Sequence, residues 1–164
     1  MKPVYILPNG KPLGASDFCR YFEKKVLYAV RKFSMPMEVK VKKSDSVNSK
    51  VLQALYEKFG FMNKGSKVIA LDDCCDDIST MLLESWFANK EVNLASSTKK
   101  EIRPLFLMTE QEISIYAAIK HIAGKPKKKS EARKMLDSME KPHPEVKRAI
   151  VQAYLQLLEI RNRN

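Results

Sequence analysis

Residues 67–71 read Lys-Val-Ile-Ala-Leu, a β-branched run that is typical of a buried strand. A tight cluster of acids follows at once, made of Asp72, Asp73, Asp76 and Asp77. Beyond it, apolar residues recur at helical spacing from Ile78 to Phe87, so a helix is expected to open at Asp76 or Asp77. A strand that passes through a polar loop into a helix is the repeating unit of an α/β layer.

The same alternation of extended and helical patterns continues along the chain. Short extended runs are predicted at residues 4–7, 37–43 and 102–106, the second of them as an exposed or edge strand. Helical patterns run from Ser16 or Asp17 to Pro36, and then over residues 46–59, 110–122, 131–140 and 144–160. Gly60 is a stop signal, and Thr109 with Glu112 is a capping-box signal. The prediction is an α/β fold with a small, mostly parallel sheet and helical additions at both ends.

The formal net charge of +11 favours polyanionic partners, with plain solubility charge as the alternative. Residues 120–164 hold 12 Lys and Arg against 5 Asp and Glu, which is +7 of the +11. This uneven distribution favours contacts with RNA phosphates. The predicted RNA-binding residues in this region are Lys125, Lys127, Lys128, Lys129, Arg133 and Lys134. Those on the first predicted helix are Lys24, Lys25, Arg31 and Lys32.

Composition also excludes several classes of protein. No apolar run approaches the roughly 20 residues needed to span a bilayer, and residues 1–10 lack the apolar stretch of a signal peptide. The three cysteines, two of them adjacent, argue against a disulfide framework. We therefore expect a cytoplasmic protein with no membrane partner.

Four short motifs occur in a particular order. The first spans residues 13–32 and holds Leu13, Phe18, Tyr21-Phe22-Glu23, Lys25-Val26 and Arg31-Lys32. The second spans residues 68–83 and holds a strand, Asp76-Asp77, Thr80 and Leu82-Leu83. The third is Ile102-Arg103-Pro104-Leu105, followed by Glu110, Glu112 and Tyr116-Ala117. The fourth is Arg133, Leu136, Glu140, His143-Pro144-Glu145 and Lys147. Together they resemble the PP-loop ATPases of tRNA 2-thiolation, the group of 2-thiocytidine and 2-thiouridine synthetases.

That resemblance implies a reduced PP-loop (HUP-like) α/β core over residues 37–123. Residues 1–36 would be the strand and helix remnant of a zinc module, and residues 124–164 a basic C-terminal helical segment. The positions that would ligate zinc hold Gly14 and Asp17. The family's Ser-Gly-Gly-Lys-Asp-Ser phosphate loop has its nearest counterpart in residues 44–49, which read Ser-Asp-Ser-Val-Asn-Ser. Both glycines and the lysine are missing, so these residues are interpreted as a helix cap.

The parts that would deliver sulfur differ as well. The family's paired cysteines, which can also hold an iron–sulfur cluster, have no C-x-x-C counterpart, and the later Cys-Pro is replaced by the lysine-rich linker. The strand and helix units that would complete the nucleotide pocket are also missing before Lys67. We predict no catalytic residue. Asp72, Asp73, Asp76 and Asp77 are the candidate remnant of a nucleotide or metal site, with a helix-capping acidic turn as the alternative.

Three functions follow from this pattern. The first is a non-catalytic tRNA-binding or accessory protein that works with tRNA and with an active thiolation subunit or a second copy of itself. The second is a reduced ATP-dependent sulfurtransferase that works with a partner subunit and uses Mg²⁺ to hold ATP at the acidic turn. The third is a protein-interaction relic without RNA contact. The first is favoured, and it requires no cofactor or resident metal.

Overall fold

The structure, a computed structural model, describes residues 2–163, with side chains described as far as residue 161. It begins with an antiparallel hairpin of β1 (Tyr5–Ile6) and β2 (Pro12–Leu13). Gly10, whose φ of +83° few other residues tolerate, closes the turn by donating its N–H to the Leu7 carbonyl at 2.8 Å. The hairpin leads directly into the first helix.

The central sheet has three parallel strands in the order β3-β4-β5, and it confirms the predicted fold class. The strands are β3 (Lys40–Val41), β4 (Ile69–Ala70) and β5 (Glu101–Ile102). The observed strands are shorter than the predicted extended runs. One reason is visible after β5, where Pro104 has no N–H to donate to a ladder. β3 lies at an edge of the sheet, as its alternation of apolar and basic residues predicts.

Six helices surround the two small sheets in residues 2–163. They are α1 (Ala15–Lys32), α2 (Val47–Phe59), α3 (Cys75–Phe87), α4 (Glu110–Ile119), α5 (Glu131–Glu140) and α6 (Val146–Arg163). Several of their ends follow the predicted signals, but α1 and α3 begin earlier than predicted, after the N-caps Gly14 and Cys74, and α1 ends before Pro36. Gly60 ends α2 at φ +72°, and Thr109 with Glu112 forms the capping box of α4. α4 ends earlier than predicted, because His121 adopts a left-handed φ of +54°.

One continuous hydrophobic core joins the hairpin, the sheet and the helices α1, α2, α3, α4 and α6. Phe18 and Phe22 of α1 are completely buried, and the Phe22 ring lies 4.6 Å from that of Tyr116 in α4, stacked upon it. Burying a side chain of this size contributes about 1.5–3 kcal/mol, so a core of this extent fixes the positions of the helices. No helix in the described part of the chain has the length and apolar character needed to cross a membrane.

Candidate site at the carboxyl edge of the sheet

The three parallel strands point their carboxyl ends to one edge of the sheet. In open parallel sheets this edge is the usual place for a ligand, because the loops that leave it form a crevice. Residues 42–46 follow β3 here, residues 71–74 follow β4, and Arg103 follows β5. The predicted phosphate-loop counterpart and acidic cluster therefore meet at the same edge.

Ser46 caps α2 at this edge. Its hydroxyl accepts the Ser49 N–H at 3.0 Å and donates to the Asp72 carboxylate at 2.6 Å. Ser49 in turn donates its hydroxyl to the Lys42 carbonyl at 2.9 Å. These bonds satisfy the first turn of α2 from within the chain. Residues 44–49 thus contain the helix cap that their sequence predicts.

Residues 124–127, which connect α4 to α5 far along the sequence, lie across the N-terminus of α2. We call this segment the strap. The Val47 N–H donates to the Lys125 carbonyl at 3.1 Å, and the Lys125 N–H donates to the Asp45 carbonyl at 2.7 Å. A Cβ on Gly124 would lie 2.8 Å from the backbone of Val47, so glycine is what allows this approach. A phosphate bound at a helix N-terminus needs these backbone amides. The strap takes up the Val47 amide and the Ser46 side chain takes up the Ser49 amide, so these two donors are already bonded within the protein.

Lys127, the last residue of the strap, places its ammonium at the carboxyl edge of the sheet, in the crevice between residues 71–77 and the start of α2. Its ammonium lies 2.8 Å from the Asp77 carboxylate, 3.3 Å from the Asp72 carboxylate and 3.2 Å from the Asp72 carbonyl oxygen. Burial alone would lower the pKa of Lys127, but Asp77 and then Asp72 outweigh it and raise the pKa. Asn48 donates to the same Asp72 carbonyl at 3.3 Å. Two of the four predicted acidic residues therefore share one internal cation.

The other two aspartates face different partners. Asp73 accepts a hydrogen bond from Arg103 Nε at 3.0 Å, and burial raises its pKa despite the charges of Lys127 and Arg103. Asp76 is only 3 % exposed and accepts the Glu110 N–H at 2.7 Å. It also pairs with Arg133 at 3.0 Å and with Lys147 at 2.8 Å. The acidic cluster of the sequence is thus divided among three sets of partners.

Asp76, Asp137 and Glu140 are, within residues 2–163, the set of three side chains close enough to hold a metal ion. Lys147 lies among them, with its ammonium 2.8, 2.5 and 2.7 Å from their carboxylates. Burial would lower the pKa of Lys147, but the hydrogen bonds that its ammonium donates to Asp137, Asp76 and Glu140 raise it. A metal ion would have to displace this charged lysine. The arrangement docks α5 and α6 onto α3.

The three cysteines do not form a site. Cys19 lies in α1, whereas Cys74 and Cys75 lie at the start of α3, and all three are buried. Burial raises the pKa of the Cys75 thiol to about 12, and burial with the charges of Asp77 and Asp76 raises the pKa of Cys74 well above its usual value. An iron–sulfur cluster needs several thiolates directed at one point. The cysteines of the described chain do not fit the cluster that the family resemblance implies.

The predicted RNA-binding residues of the C-terminal region are largely engaged within the protein. Arg133 is 6 % exposed and, besides Asp76, it pairs with Glu110 and Asp137. Lys129 lies 2.7 Å from Asp137, and the exposed pair Lys134–Glu131 measures 2.6 Å. Lys125 lies 3.7 Å from Asp45. Lys128 is exposed, with no carboxylate within 4.0 Å among the described side chains.

The residues predicted on the first helix present a different surface. Lys25 is turned inward and lies 2.8 Å from Glu112. Lys24, Arg31 and Lys32 are exposed, and none of the described carboxylates lies within 4.0 Å of them. They surround Tyr28, which is 54 % exposed, and the Lys32 ammonium lies 5.5 Å from the centre of its ring. With Leu27, these side chains line a shallow depression of about 600 Å³, which we call the α1 face.

Arg20 extends the α1 face by one turn, and the sequence reasoning missed it. It is exposed and lies four residues before Lys24, and the described carboxylates are all more than 4.0 Å from it. The helical spacing of residues 20, 24, 28 and 31 was a signal that could have identified it. Glu112 was also recognised only as part of a capping box. It is fully buried and binds Lys25, Arg148 and two tyrosines, Tyr5 and Tyr21.

No family model matches the sequence, and a search of curated proteins finds no significant match. Among solved structures, the chain is similar to the U34-tRNA thiolase NcsA from Methanococcus maripaludis with its [4Fe-4S] cluster. The TM-score is 0.75 at 16 % sequence identity, and the match covers 96 % of this chain and 85 % of that chain. Likeness at this identity shows a shared fold. The chain has the α/β fold of that thiolase structure.

Proposed function

We propose that this chain is a non-catalytic tRNA-binding accessory protein, built on a degenerate form of the tRNA thiolase scaffold. The fold that it shares with a U34-tRNA thiolase supports tRNA as its partner. The net charge of +11 supports a polyanionic partner in general. Neither of these locates the contact on the protein surface.

The observation that carries the proposal is the α1 face. Lys24, Arg31 and Lys32 are exposed cations that the described carboxylates leave unpaired, so they retain their charge for an external partner. Tyr28 at their centre offers an aromatic ring on which an unpaired base can stack. Lysine and arginine side chains position an RNA backbone without reading its sequence. We therefore assign RNA binding chiefly to α1 and only secondarily to the lysine-rich linker, whose charges are partly neutralised.

Two features at the carboxyl edge of the sheet support the proposal that this chain is not a catalyst. Adenylation of a base needs backbone amides that cradle phosphate, and the strap with the Ser46 cap uses those at the start of α2. Sulfur transfer needs an accessible thiolate, and burial raises the pKa of Cys74 and Cys75 far above neutrality. A partner subunit would supply the chemistry, while this chain would hold tRNA.

The proposal is tested by measuring the affinity of the purified protein for unmodified tRNA over a series of salt concentrations. The variant Lys24→Ala/Arg31→Ala/Lys32→Ala removes three cations from an exposed helical surface where alanine is well tolerated. We expect weaker binding and a salt dependence whose logarithmic slope is smaller by about 3, since each lost phosphate contact lowers it by about 1.

The matched control is Lys50→Ala/Lys90→Ala/Lys141→Ala, which removes the same charge from three exposed positions scattered over the structure. The control should keep most of the affinity and of the salt slope. If both variants weaken binding equally, net charge and not the α1 face is responsible. If the wild-type protein binds no tRNA even at low salt, the proposal fails and a protein-interaction role becomes the better account.

A further inference from the structure

The Lys127 ammonium lies in an environment that resembles a cation site. Three oxygens surround it at the carboxyl edge of the sheet: the Asp77 and Asp72 carboxylates at 2.8 and 3.3 Å, and the Asp72 carbonyl at 3.2 Å. Carboxylate and carbonyl oxygens are the ligands that hard divalent cations prefer. These three oxygens bind the Lys127 ammonium here, and the same oxygens could bind a metal ion if the lysine were absent.

The strap holds that lysine in place from its backbone. The Val47 N–H binds the Lys125 carbonyl and the Lys125 N–H binds the Asp45 carbonyl, so residue 125 is fixed from both sides. Gly124 adds the close backbone approach to Val47. With its backbone positioned in this way, Lys127 loses little further conformational freedom when it pairs with the two aspartates. Only 26 % of its side chain is exposed, so solvent screens the pair less than it would at the surface.

We propose that Lys127 is a tethered cation that occupies a divalent-cation position at the edge of the sheet and closes it to external metal ions. The sequence of the acidic turn leaves a metal-assisted nucleotide site open beside a helix cap, and the structure places an internal positive charge there. The inference concerns the crevice and does not depend on tRNA binding at the α1 face. It predicts that removing the ammonium uncovers a cation site which the wild-type protein lacks.

Lys127→Ala tests this directly with Mn²⁺ as the probe. Two carboxylates and a carbonyl oxygen would remain close together without their positive partner, and a divalent ion would relieve their repulsion. We expect the variant to bind one Mn²⁺ per chain in a spin-resonance titration, and the wild-type protein to bind none at the same concentration. At Mn²⁺ about 100 times above its Kd, the melting temperature of the variant should rise by roughly 5–10 °C.

Two further variants define the site. Lys128→Ala removes a neighbouring exposed lysine with the same change in charge, and it should behave as wild type toward Mn²⁺. Lys127→Ala/Asp77→Asn removes one carboxylate ligand and should lose the Mn²⁺ gained by the single variant. This loss separates a specific site from weak association with surface acids.

Folding of the variant is checked by circular dichroism with and without Mn²⁺. A Lys127→Ala protein that is unfolded alone but folds with Mn²⁺ would support the proposal, because the ion then replaces the ammonium. Lys127→Gln, which keeps a hydrogen-bond donor on a slightly shorter side chain but not the charge, is the second variant. The proposal is overturned if neither variant gains Mn²⁺ binding, whether folded or not, or if the wild-type protein binds Mn²⁺ equally well.

Discussion

Glu112 is the residue on which most of the buried polar contacts near the hairpin converge. Its carboxylate is fully buried and lies 2.8 Å from Lys25 of α1 and 3.3 Å from Arg148 of α6. It also accepts the Thr109 N–H at 2.9 Å. Burial favours the neutral acid, but Lys25, this backbone N–H and Arg148 outweigh it, so the pKa of Glu112 lies below its usual 4.5. The residue therefore stabilises the fold in its charged form.

Glu112→Gln should lower the free energy of unfolding by about 2–4 kcal/mol at pH 7, because Lys25 and Arg148 lose their buried counter-charge. A carboxyl whose pKa is lowered by folding contributes fully above its unfolded pKa and loses that contribution as pH falls through the folded pKa. The difference between wild type and variant should therefore shrink as the pH falls below about 4.5. Urea unfolding over a pH series measures it.

Glu131→Gln is the control for this comparison, since its pair with Lys134 is exposed and contributes less than about 1 kcal/mol. A Glu112→Gln deficit that stays constant down to pH 3 would contradict the proposed charged state. The role of Glu112 could not be predicted from the sequence, because a capping-box signal describes one helix and this carboxylate joins the hairpin and three helices.

At the scale of the elements, local signals correctly predicted both ends of α2 and the start of α4. Ser46, Gly60 and Thr109 act through contacts within four residues, so their effect is visible in the sequence. The strap is the opposite case. The sequence pattern favours a lysine-rich linker from Lys125 onward, but Gly124 contacts Val47, and Lys127 contacts Asp72 and Asp77. These partners are 50 to 77 positions away in the sequence. Short-range patterns contain no information on such contacts.

Gly124→Ala tests whether the strap depends on the close approach to α2. The added Cβ would lie 2.8 Å from the Val47 backbone, which cannot move without shifting the start of α2. We expect the strap to lift away, so that the Val47 amide, now without the Lys125 carbonyl, exchanges its hydrogen at least about 10-fold faster. Hydrogen-exchange measurements on the native protein detect the change at this amide.

Gly65→Ala provides the matched control, because the nearest atom to its added Cβ is a side-chain oxygen of Asn63 at 3.4 Å. Exchange at Val47 should be unchanged in this variant. Equal exchange at Val47 in both variants and in wild type would mean that the strap does not depend on Gly124.

For the molecule as a whole, the cations fall into two sets, those that pair inside the fold and those that do not. Buried or half-buried cations such as Lys25, Arg133 and Lys147 join helices, while the described carboxylates all lie more than 4.0 Å from the exposed cations of the α1 face. The net charge of +11 could be read from the sequence, but not this division, because it depends on which side chains the tertiary fold turns inward. The lysine-rich C-terminal segment is the most basic part of the sequence, but most of its cations pair with carboxylates of the same chain.

The reaction rate of the three buried thiols measures how often the helices that cover them open. Cys74 and Cys75 are each 1 % exposed and Cys19 is 7 % exposed. Burial also raises the pKa of Cys75 to about 12, so its reactive thiolate form is scarce near neutral pH. We expect a thiol reagent such as Ellman's reagent to modify no cysteine rapidly in the native protein and all three in guanidinium.

A Lys128→Cys variant serves as the internal standard, since it adds one exposed thiol that should react at once while the other three stay protected. A slow reaction of the native cysteines then measures the opening of α1 and of the start of α3, because the exposed thiol shows that the reagent itself reacts rapidly. Rapid native reaction at Cys74 or Cys75 would show an accessible thiolate at the edge of the sheet. That result would remove one of the two supports for a non-catalytic role and return sulfur transfer to consideration.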